Sequence, residues 1–408
     1  MNQTAPNQRR YAVDDGDIYI DLGPGGAATP EGIYDAERYA LNMGPQHPAT
    51  HGVLRLRLEM DGEAVVAIDP VIGYLHRCFE KHAESLFYPM VIPFTDRLDY
   101  LAGMNQNWSL VLGIERLAGL EVPEKVEYIR VIVGELNRIA SHLVAFGTFG
   151  LDMGAFTPFL WAFRDREKIL DLLEWASGAR LLYNYIRIGG VARDLPDGWT
   201  GKCLEFLDYF EPKLDEYNNL LSYNQIFIER TAGTGIISTD IAVDYGITGP
   251  NLRGSGINWD LRRDDPYSIY DRFAWDVALG TGHYGPLGSC WDRYWVRIQE
   301  MIQSVRILRQ AIKDLPAGGD VHEKIPKRAK VPEGDYYVRT EAPKGELGFY
   351  IVGSGKDNAK RIKARSPSFC AISAMDAIVK SPDNPRMLIA DVVATVASLD
   401  IVLGEIDR

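Results

Sequence analysis

Gly44-Pro45-Gln46-His47-Pro48-Ala49-Thr50-His51-Gly52 sets the reading of the whole chain, because it holds two imidazoles in a stretch that cannot be helix. Proline fixes φ and removes a backbone donor, and glycine admits positive φ, so Pro45, Pro48 and the flanking glycines make a stiff turn. Histidine has an unperturbed pKa that lets it give or take a proton near neutrality, which makes a rigidly held His51 a candidate proton donor. The competing reading is a turn whose histidines only cap and hydrogen-bond. A zinc pair of the H-E-x-x-H kind is opposed by Pro48 and by the absence of a glutamate between His47 and His51.

Working outward, Leu54, Leu56 and Leu58 alternate with Arg55, Arg57 and Glu59, then come Asp61-Gly62 and an apolar run from Ala64 to Ile68. That pattern predicts a β-hairpin. Residues 73–88 and 95–117 carry helical spacing. Pro123 at a helical N1 opens a helix with Val126, Ile129, Val133, Leu136, Ala140 and Leu143 on one face, ending near Gly147. Thr157 and Pro158 read as N-cap and N1 of the next, which carries Leu160, Phe163, Ile169, Leu173 and Trp175 and stops at Gly178. Further helices are expected over 202–221, with a break at Pro212, and over 289–312. Strands follow at 336–340 and 348–352, and a last helix at 391–399. Residues 1–37 mix Gly, Pro and acidic residues without periodicity and predict an N-terminal extension.

The fold class expected is therefore α+β, a central long-helix bundle with small N-terminal and C-terminal antiparallel β elements. Within one domain over 38–408 the divisions are a β region (38–72), a helical bundle (73–315) and a C-terminal α/β region (330–408).

A formal net charge of -12 over 408 residues argues against a nucleic-acid surface. Cys78, Cys203, Cys290 and Cys370 lie far apart with no C-x-x-C, so neither a disulfide framework nor a cysteine-held metal cluster is encoded. With no run of about 18 apolar residues and no apolar leader, any membrane association is expected to be peripheral. Gly280-Thr281-Gly282-His283-Tyr284-Gly285 matches G-x-G-x-x-G but lacks the surrounding βαβ unit and the following acidic residue, and is read as a loop. His76 and His82, with Glu80 and bases between them, read as a solvated or partner-facing surface. On the residues alone Asp152 could simply satisfy loop amides, and Tyr100 could be a core aromatic.

Several stretches nevertheless carry a family resemblance. They are the 44–52 turn, Gly73-Tyr74-Leu75-His76-Arg77-Cys78-Phe79-Glu80-Lys81, Arg97-Leu98-Asp99-Tyr100, and Asp152-Met153-Gly154-Ala155-Phe156-Thr157-Pro158-Phe159. Tyr185-Ile186-Arg187-Ile188-Gly189-Gly190-Val191, Lys344-Gly345-Glu346-Leu347-Gly348-Phe349-Tyr350 and Asp407-Arg408 complete the set. Together, in this order over about 38–408, they resemble the 49-kDa, D-type subunit family of NADH-quinone oxidoreductase, respiratory complex I. That family is itself similar to the large subunit of nickel-iron hydrogenases, whose metal is held by R-x-C-x-x-C and D-P-C-x-x-C-x-D-R segments. Here Asp99, Ala102, Val402 and Glu405 stand at the four thiolate positions. Without soft sulfur ligands no nickel-iron site is expected, and the resemblance implies an emptied metal pocket.

The resemblance further implies that this pocket receives a membrane quinone, menaquinone or ubiquinone. His51 and Tyr100 would hydrogen-bond its carbonyls and supply protons, and Asp152 would pair with His51 and raise its proton affinity. His47 belongs to the same quinone loop. The partners implied are complex I subunits B, C, H and I. Arg97 would lie near a 4Fe-4S cluster held by the first of these, the B-type subunit, its positive charge favouring the reduced cluster. The location implied is the cytoplasmic side of the inner membrane.

Two departures stand out. Cys78 occupies a place where the family usually has Gly, and Leu182 a place where many relatives carry a histidine beside the cluster. Leucine can neither donate to a cluster sulfur nor titrate, which implies a lower, less pH-dependent cluster potential that would suit menaquinone. Three rivals remain: the homologous subunit of a photosynthetic-type ferredoxin-plastoquinone oxidoreductase, a membrane-bound energy-converting hydrogenase opposed by the missing cysteines, and a structural scaffold without its own ligand.

Overall fold

The computed structural model describes residues 38–323, 325 and 330–408. The N-terminal extension expected over 1–37 lies outside the described residues. Among those described, helices and small antiparallel sheets combine as an α+β arrangement.

Strands β1 (Arg38–Met43), β2 (Arg55–Asp61) and β3 (Ala64–Val71) form an antiparallel sheet in that order. The turn is one residue later than Asp61-Gly62 suggests: Asp61 still pairs with Ala64, and Gly62, at φ 60°, leads the two-residue loop. Strand alternation puts Leu54, Leu56, Leu58 and Met60 wholly inside. At roughly 2 kcal/mol for each buried large aliphatic side chain, this face anchors the sheet. It packs on Ala371, Met375, Ile378, Val392 and Val396, so the first strands and the last helices share one core.

The helical part begins with α1 (Phe79–Ser85) and α2 (Tyr88–Thr95), followed by α3 (Gly103–Ala118). The helix expected over 95–117 is thus interrupted at 96–102. Asp99 turns its carboxylate onto the amide of Leu101 at 3.1 Å, a local bond that competes with the helical ladder. The two central helices are α4 (Glu124–Asp152) and α5 (Phe156–Ser177). Pro123 is the N-cap of α4 and not its first helical residue. Gly147 does not end α4. A Cβ there would lie 3.1 Å from Phe159 Cα, so this glycine lets the two helices approach. α5 starts at Phe156, one residue before Thr157, and stops at Gly178 in the left-handed region. Leu160 and Trp175, expected inside, are exposed.

Short antiparallel strands β4 (Ile186–Arg187) and β5 (Gly190–Val191) lead to α6 (Trp199–Tyr217), which runs through Pro212 without the expected break and continues as a π turn. Four short helices follow: α7 (Gln225–Thr231), α8 (Thr239–Asp244), α9 (Pro250–Gly254) and α10 (Leu261–Asp264). Residues 280–285 are loop, as expected. The amides of Thr281 and Gly282 donate to Asp292 Oδ1 near the start of α11 (Cys290–Asp314).

Strands β6 (Gly334–Ala342), β7 (Gly345–Gly353) and β8 (Ala359–Arg365) form the second three-stranded sheet. The chain ends with α12 (Pro367–Ser373), α13 (Met375–Lys380), α14 (Ile389–Leu399) and α15 (Leu403–Asp407).

Ionic contacts inside the bundle tie these elements together. Arg253 on α9 reaches Glu300 at 2.5 Å, Glu341 at 2.8 Å and Asp260 at 3.3 Å. Asp260 holds Arg262, Arg262 reaches Glu135 on α4, and His142 lies 2.8 Å from Glu300. All are buried. Removing one partner of such a group strands a charge at a cost of about 3–5 kcal/mol, so the set fixes how α4, α9, α11 and β6 sit together.

Candidate functional site

The 44–54 connection crosses from β1 to β2 as a built turn. A Cβ at Gly44 would lie 2.0 Å from Leu54 O, so only glycine fits this approach. His47, exposed, caps the 3-10 turn Pro48–Thr50, its Nδ1 accepting from the Ala49 amide at 3.2 Å, while Thr50 Oγ1 donates to His47 O at 2.8 Å. His47 is thus occupied with the turn. His51 comes next in the left-handed region at φ 48°, a conformation histidine visits more readily than most side chains. The turn rests on α14.

His51 Nε2 lies 3.9 Å from Asp152 Oδ2, at the last residue of α4. Both atoms are buried, and neither has a hydrogen-bond partner among the described residues. The two groups stand at ion-pair distance with no direct hydrogen bond between them. Burial pushes the Asp152 carboxyl up to about 6. Burial also lowers the His51 pKa; the charge of Asp400 opposes this and that of Lys344 adds to it. Asp400, at the C-terminal end of α14, is thus one charge that favours the protonated ring.

Tyr100 is on the 96–102 connection, 41% exposed. Partial burial and the carboxylate of Asp99 raise its pKa, while Lys344 and Arg77 lower it. His51 and Tyr100 thus share one charged neighbour, Lys344. Deep burial raises the Asp99 carboxyl despite that lysine. Arg97 is on the surface of the same connection, its guanidinium donating to Pro93 O at 2.5 Å and its own carbonyl accepting from Arg77 at 2.5 Å. Leu182, also in the left-handed region at φ 56°, leads into Tyr183 and Asn184. That segment packs beside Gly103 and Asp96, the residue before Arg97, whose buried carboxyl is pushed up to about 7.

The C-terminal segment closes one side. Asp407 accepts from the amides of Gly73 at 2.8 Å and Leu75 at 2.6 Å, and His76 Nδ1 lies 2.7 Å from Asp407 O. His76 is thus a structural link and precedes α1, while His82 stacks on Phe94. Cys78 is exposed at φ 58°, a conformation that suits glycine. A cleft of about 440 Å3 opens on this face, lined by Gly73, His76, Lys81, Arg361 and Arg408 among others; His51, Tyr100 and Asp152 do not line it.

Among the described residues no group of three or more His, Cys, Asp or Glu side chains is placed to hold a metal ion, and no helix is long and apolar enough to cross a membrane. The charged groups that act on His51 and that the sequence reading left without a role are Lys344 and Asp400. Lys344 opens a motif that carried the resemblance, and Asp400 begins the segment compared with the hydrogenase terminus, so both were in view without a role.

Comparison with known proteins bears on this arrangement. The family described as "Respiratory-chain NADH dehydrogenase, 49 Kd subunit" matches residues 152–330 and 321–408. The D-type subunit of NADH-quinone oxidoreductase from Chlorobium phaeobacteroides is 51% identical over 396 residues, 96% of this chain and 98% of that protein. Its counterpart in Chlorobium luteolum is 52% identical over 375 residues, 91% of this chain and 94% of that one. That of Chlorobaculum tepidum is 51% identical over 383 residues, 93% and 94% respectively.

Proposed function

The chain belongs to the family of the 49 Kd subunit of respiratory-chain NADH dehydrogenase, the D-type subunit of NADH-quinone oxidoreductase, and we propose that it forms the site where that complex reduces its membrane quinone. The observation that carries this reading is the facing pair of buried, unpartnered atoms, His51 Nε2 and Asp152 Oδ2, 3.9 Å apart.

Reduction of a quinone takes two electrons and two protons. The electrons come from a 4Fe-4S cluster of the partner B-type subunit, which supplies one-electron chemistry when bound; the protons are this chain's part. His51 donates from its ring N–H to one carbonyl oxygen, and Tyr100 from its hydroxyl to the other. Asp152, 3.9 Å from the ring, offers it a carboxylate at ion-pair distance. The left-handed backbone at His51 and the cap made by His47 fix the ring before the substrate arrives, so little ordering is left for the reaction itself.

Arg97 faces outward beside the segment of Leu182, and these two are the residues turned to the cluster. The resemblance to the hydrogenase large subunit supports an origin of the pocket as a metal site that lost its thiolates, with Asp99 and Glu405 in two of their places. Exposed Leu151, Phe156 and Leu160 near Asp152 support an apolar rim towards the bilayer. On this reading the subunit lies on the cytoplasmic side of the inner membrane, held through the H-type membrane subunit, with those of C and I type as further neighbours.

His51→Ala and Tyr100→Phe in the assembled complex are expected to abolish quinone reduction while assembly is retained. Wild-type turnover in an assembled double variant would refute the two roles. Photolabelling by a quinone analogue, lost in the same variants, separates a ligand site from a scaffold.

A further inference from the structure

Arg253 and Arg262 direct their guanidinium groups at carboxylates, but Arg297 of α11, also buried, does not. The carboxylate it faces, Asp400 Oδ2, stands 3.7 Å from its Nε, and neither atom has a hydrogen-bond partner among the described residues. Its Nη1 donates instead to Ser398 O at 2.8 Å and its Nη2 to Leu399 O at 3.2 Å, on the last two residues of α14. Asn251 of α9 completes the clamp: its Nδ2 donates to Leu399 O at 3.0 Å, and its Oδ1 accepts from Arg297 Nη2 at 2.9 Å. The last carbonyls of a helix have no partner within it and carry its partial negative charge, so a planar cation with a fork of donors is suited to hold them.

α14 and the segment after it seat the His51 turn. Before His51, the 3-10 turn Pro48–Thr50 rests on α14, with Ala49 and Thr50 buried. After His51, Gly52 faces Leu403 at the start of α15, where an added Cβ would touch Leu403 Cδ1 at 3.4 Å. Between these two supports the chain turns at Asp400, in the left-handed region at φ 53°. His51 is thus bracketed by two contacts joined through the end of α14, and Arg297 grips that end.

We propose that Arg297 is a positioning residue for quinone reduction: by fixing the last turn of α14 it fixes the seat of the His51 turn, and with it the place from which His51 serves the quinone. The proposal rests on the function given above. The role belongs to the shape of the guanidinium. A lysine keeps the charge but is a point donor and does not hold two carbonyls in one plane. Without the fork, Leu399 O keeps only its bond from Asn251, and the end of α14 is free to shift under the turn.

The test is Arg297→Lys in the assembled complex at equal subunit content, read in two ways. Amide hydrogen exchange is expected to rise at 395–403 and also at 44–54, and to stay unchanged in α3. With a short-chain quinone as substrate, kcat is expected to fall about tenfold with KM within about threefold, while a hydrophilic acceptor that takes electrons before the quinone site is reduced at the wild-type rate. Arg297→Gln, which loses the charge as well, is expected to match Arg297→Lys within about threefold. A far larger loss in Arg297→Gln would mean that charge and not shape is needed, and overturns the proposal. So does exchange that rises at 395–403 but not at 44–54, or quinone turnover that stays at the wild-type rate in a complex whose 44–54 stretch has loosened. If Arg297→Lys does not assemble, Asn251→Ala removes one bond to Leu399 O and carries the same expectations with a loss of about threefold. Wild-type turnover in the His51→Ala and Tyr100→Phe variants, run in parallel, would instead overturn the function itself.

Discussion

Replacing Gly44 by alanine tests whether the 44–54 turn positions chemistry or merely links two strands. Gly44 has φ 89°, and an alanine Cβ there would lie 2.0 Å from Leu54 O, 3.1 Å from Leu54 C and 3.1 Å from Thr50 Cγ2. Reaching even 3.0 Å from that oxygen requires a displacement of about 1 Å. Leu54 cannot yield, because its side chain is wholly buried in the core shared with α14. The loop carrying His51 must therefore shift. A displacement of about 1 Å in a reacting group costs on the order of a hundredfold in rate, and the strained backbone adds about 1–3 kcal/mol of instability.

Gly52→Ala is the matched control. Its φ of 116° is also unfavourable, but the added Cβ meets only Leu403 Cδ1 at 3.4 Å, an ordinary contact. It carries the strain without the displacement, and its rate is expected to fall only a few-fold. The assay compares quinone reductase activity with reduction of a hydrophilic acceptor that takes electrons before the quinone site, in complexes of equal subunit content. Gly44→Ala should lose the first and keep the second. Equal, mild losses in both variants would refute the reasoning, since they would mean that the position of His51 does not limit the reaction.

Asp152→Asn gives a pH-dependent stability change. Burial raises the folded carboxyl from 3.8 to about 6, so the folded chain binds this proton more tightly than the unfolded one. The stabilisation from that proton is complete below about pH 4 and is lost as pH rises through about 6. At pH 7.5 wild type bears a penalty of about 1–3 kcal/mol, so thermal unfolding of Asp152→Asn should exceed wild type there and match it near pH 4; a gain equal at both pH values would contradict the assignment. Leu182→His follows from the proposed neighbourhood of the cluster. The φ of 56° tolerates histidine, and redox titrations at several pH values should show a higher, pH-dependent midpoint in the variant against a flat wild type. A steep pH slope in wild type would reject this.

What the sequence made legible was whatever repeats locally. The alternation at Leu54, Leu56 and Leu58 and the helical faces of α4 and α11 follow from side-chain periodicity, which burial on one side enforces. Boundaries failed where a residue had two uses. Gly147 reads as a stop, because glycine weakens helices, yet here it permits contact with Phe159. Pro212 reads as a break, yet α6 passes through it. The strand β8 has basic residues at alternate positions, Arg361, Lys363 and Arg365, the first two exposed, and its apolar content is too thin to stand out. His51, Tyr100 and Asp152 were named from motifs whose meaning came from a family likeness, since a histidine in a turn or an aspartate at a helix end is individually ambiguous.

The part that could not be read is the part that gives the site its electrical character. Gln106 meets Glu405 across 299 positions of chain, and Lys344 meets Ser141 across 203. No local pattern encodes such meetings, because a buried ion pair imposes no period on the residues around it. Nor can composition reveal it: a net charge of -12 describes the surface field and is silent on one ammonium inside. Burial lowers the His51 pKa, the Lys344 ammonium acting with it and the Asp400 carboxylate against it. The chain brings the two opposite charges together, 3.6 Å apart, from the end of α14 and the turn between β6 and β7.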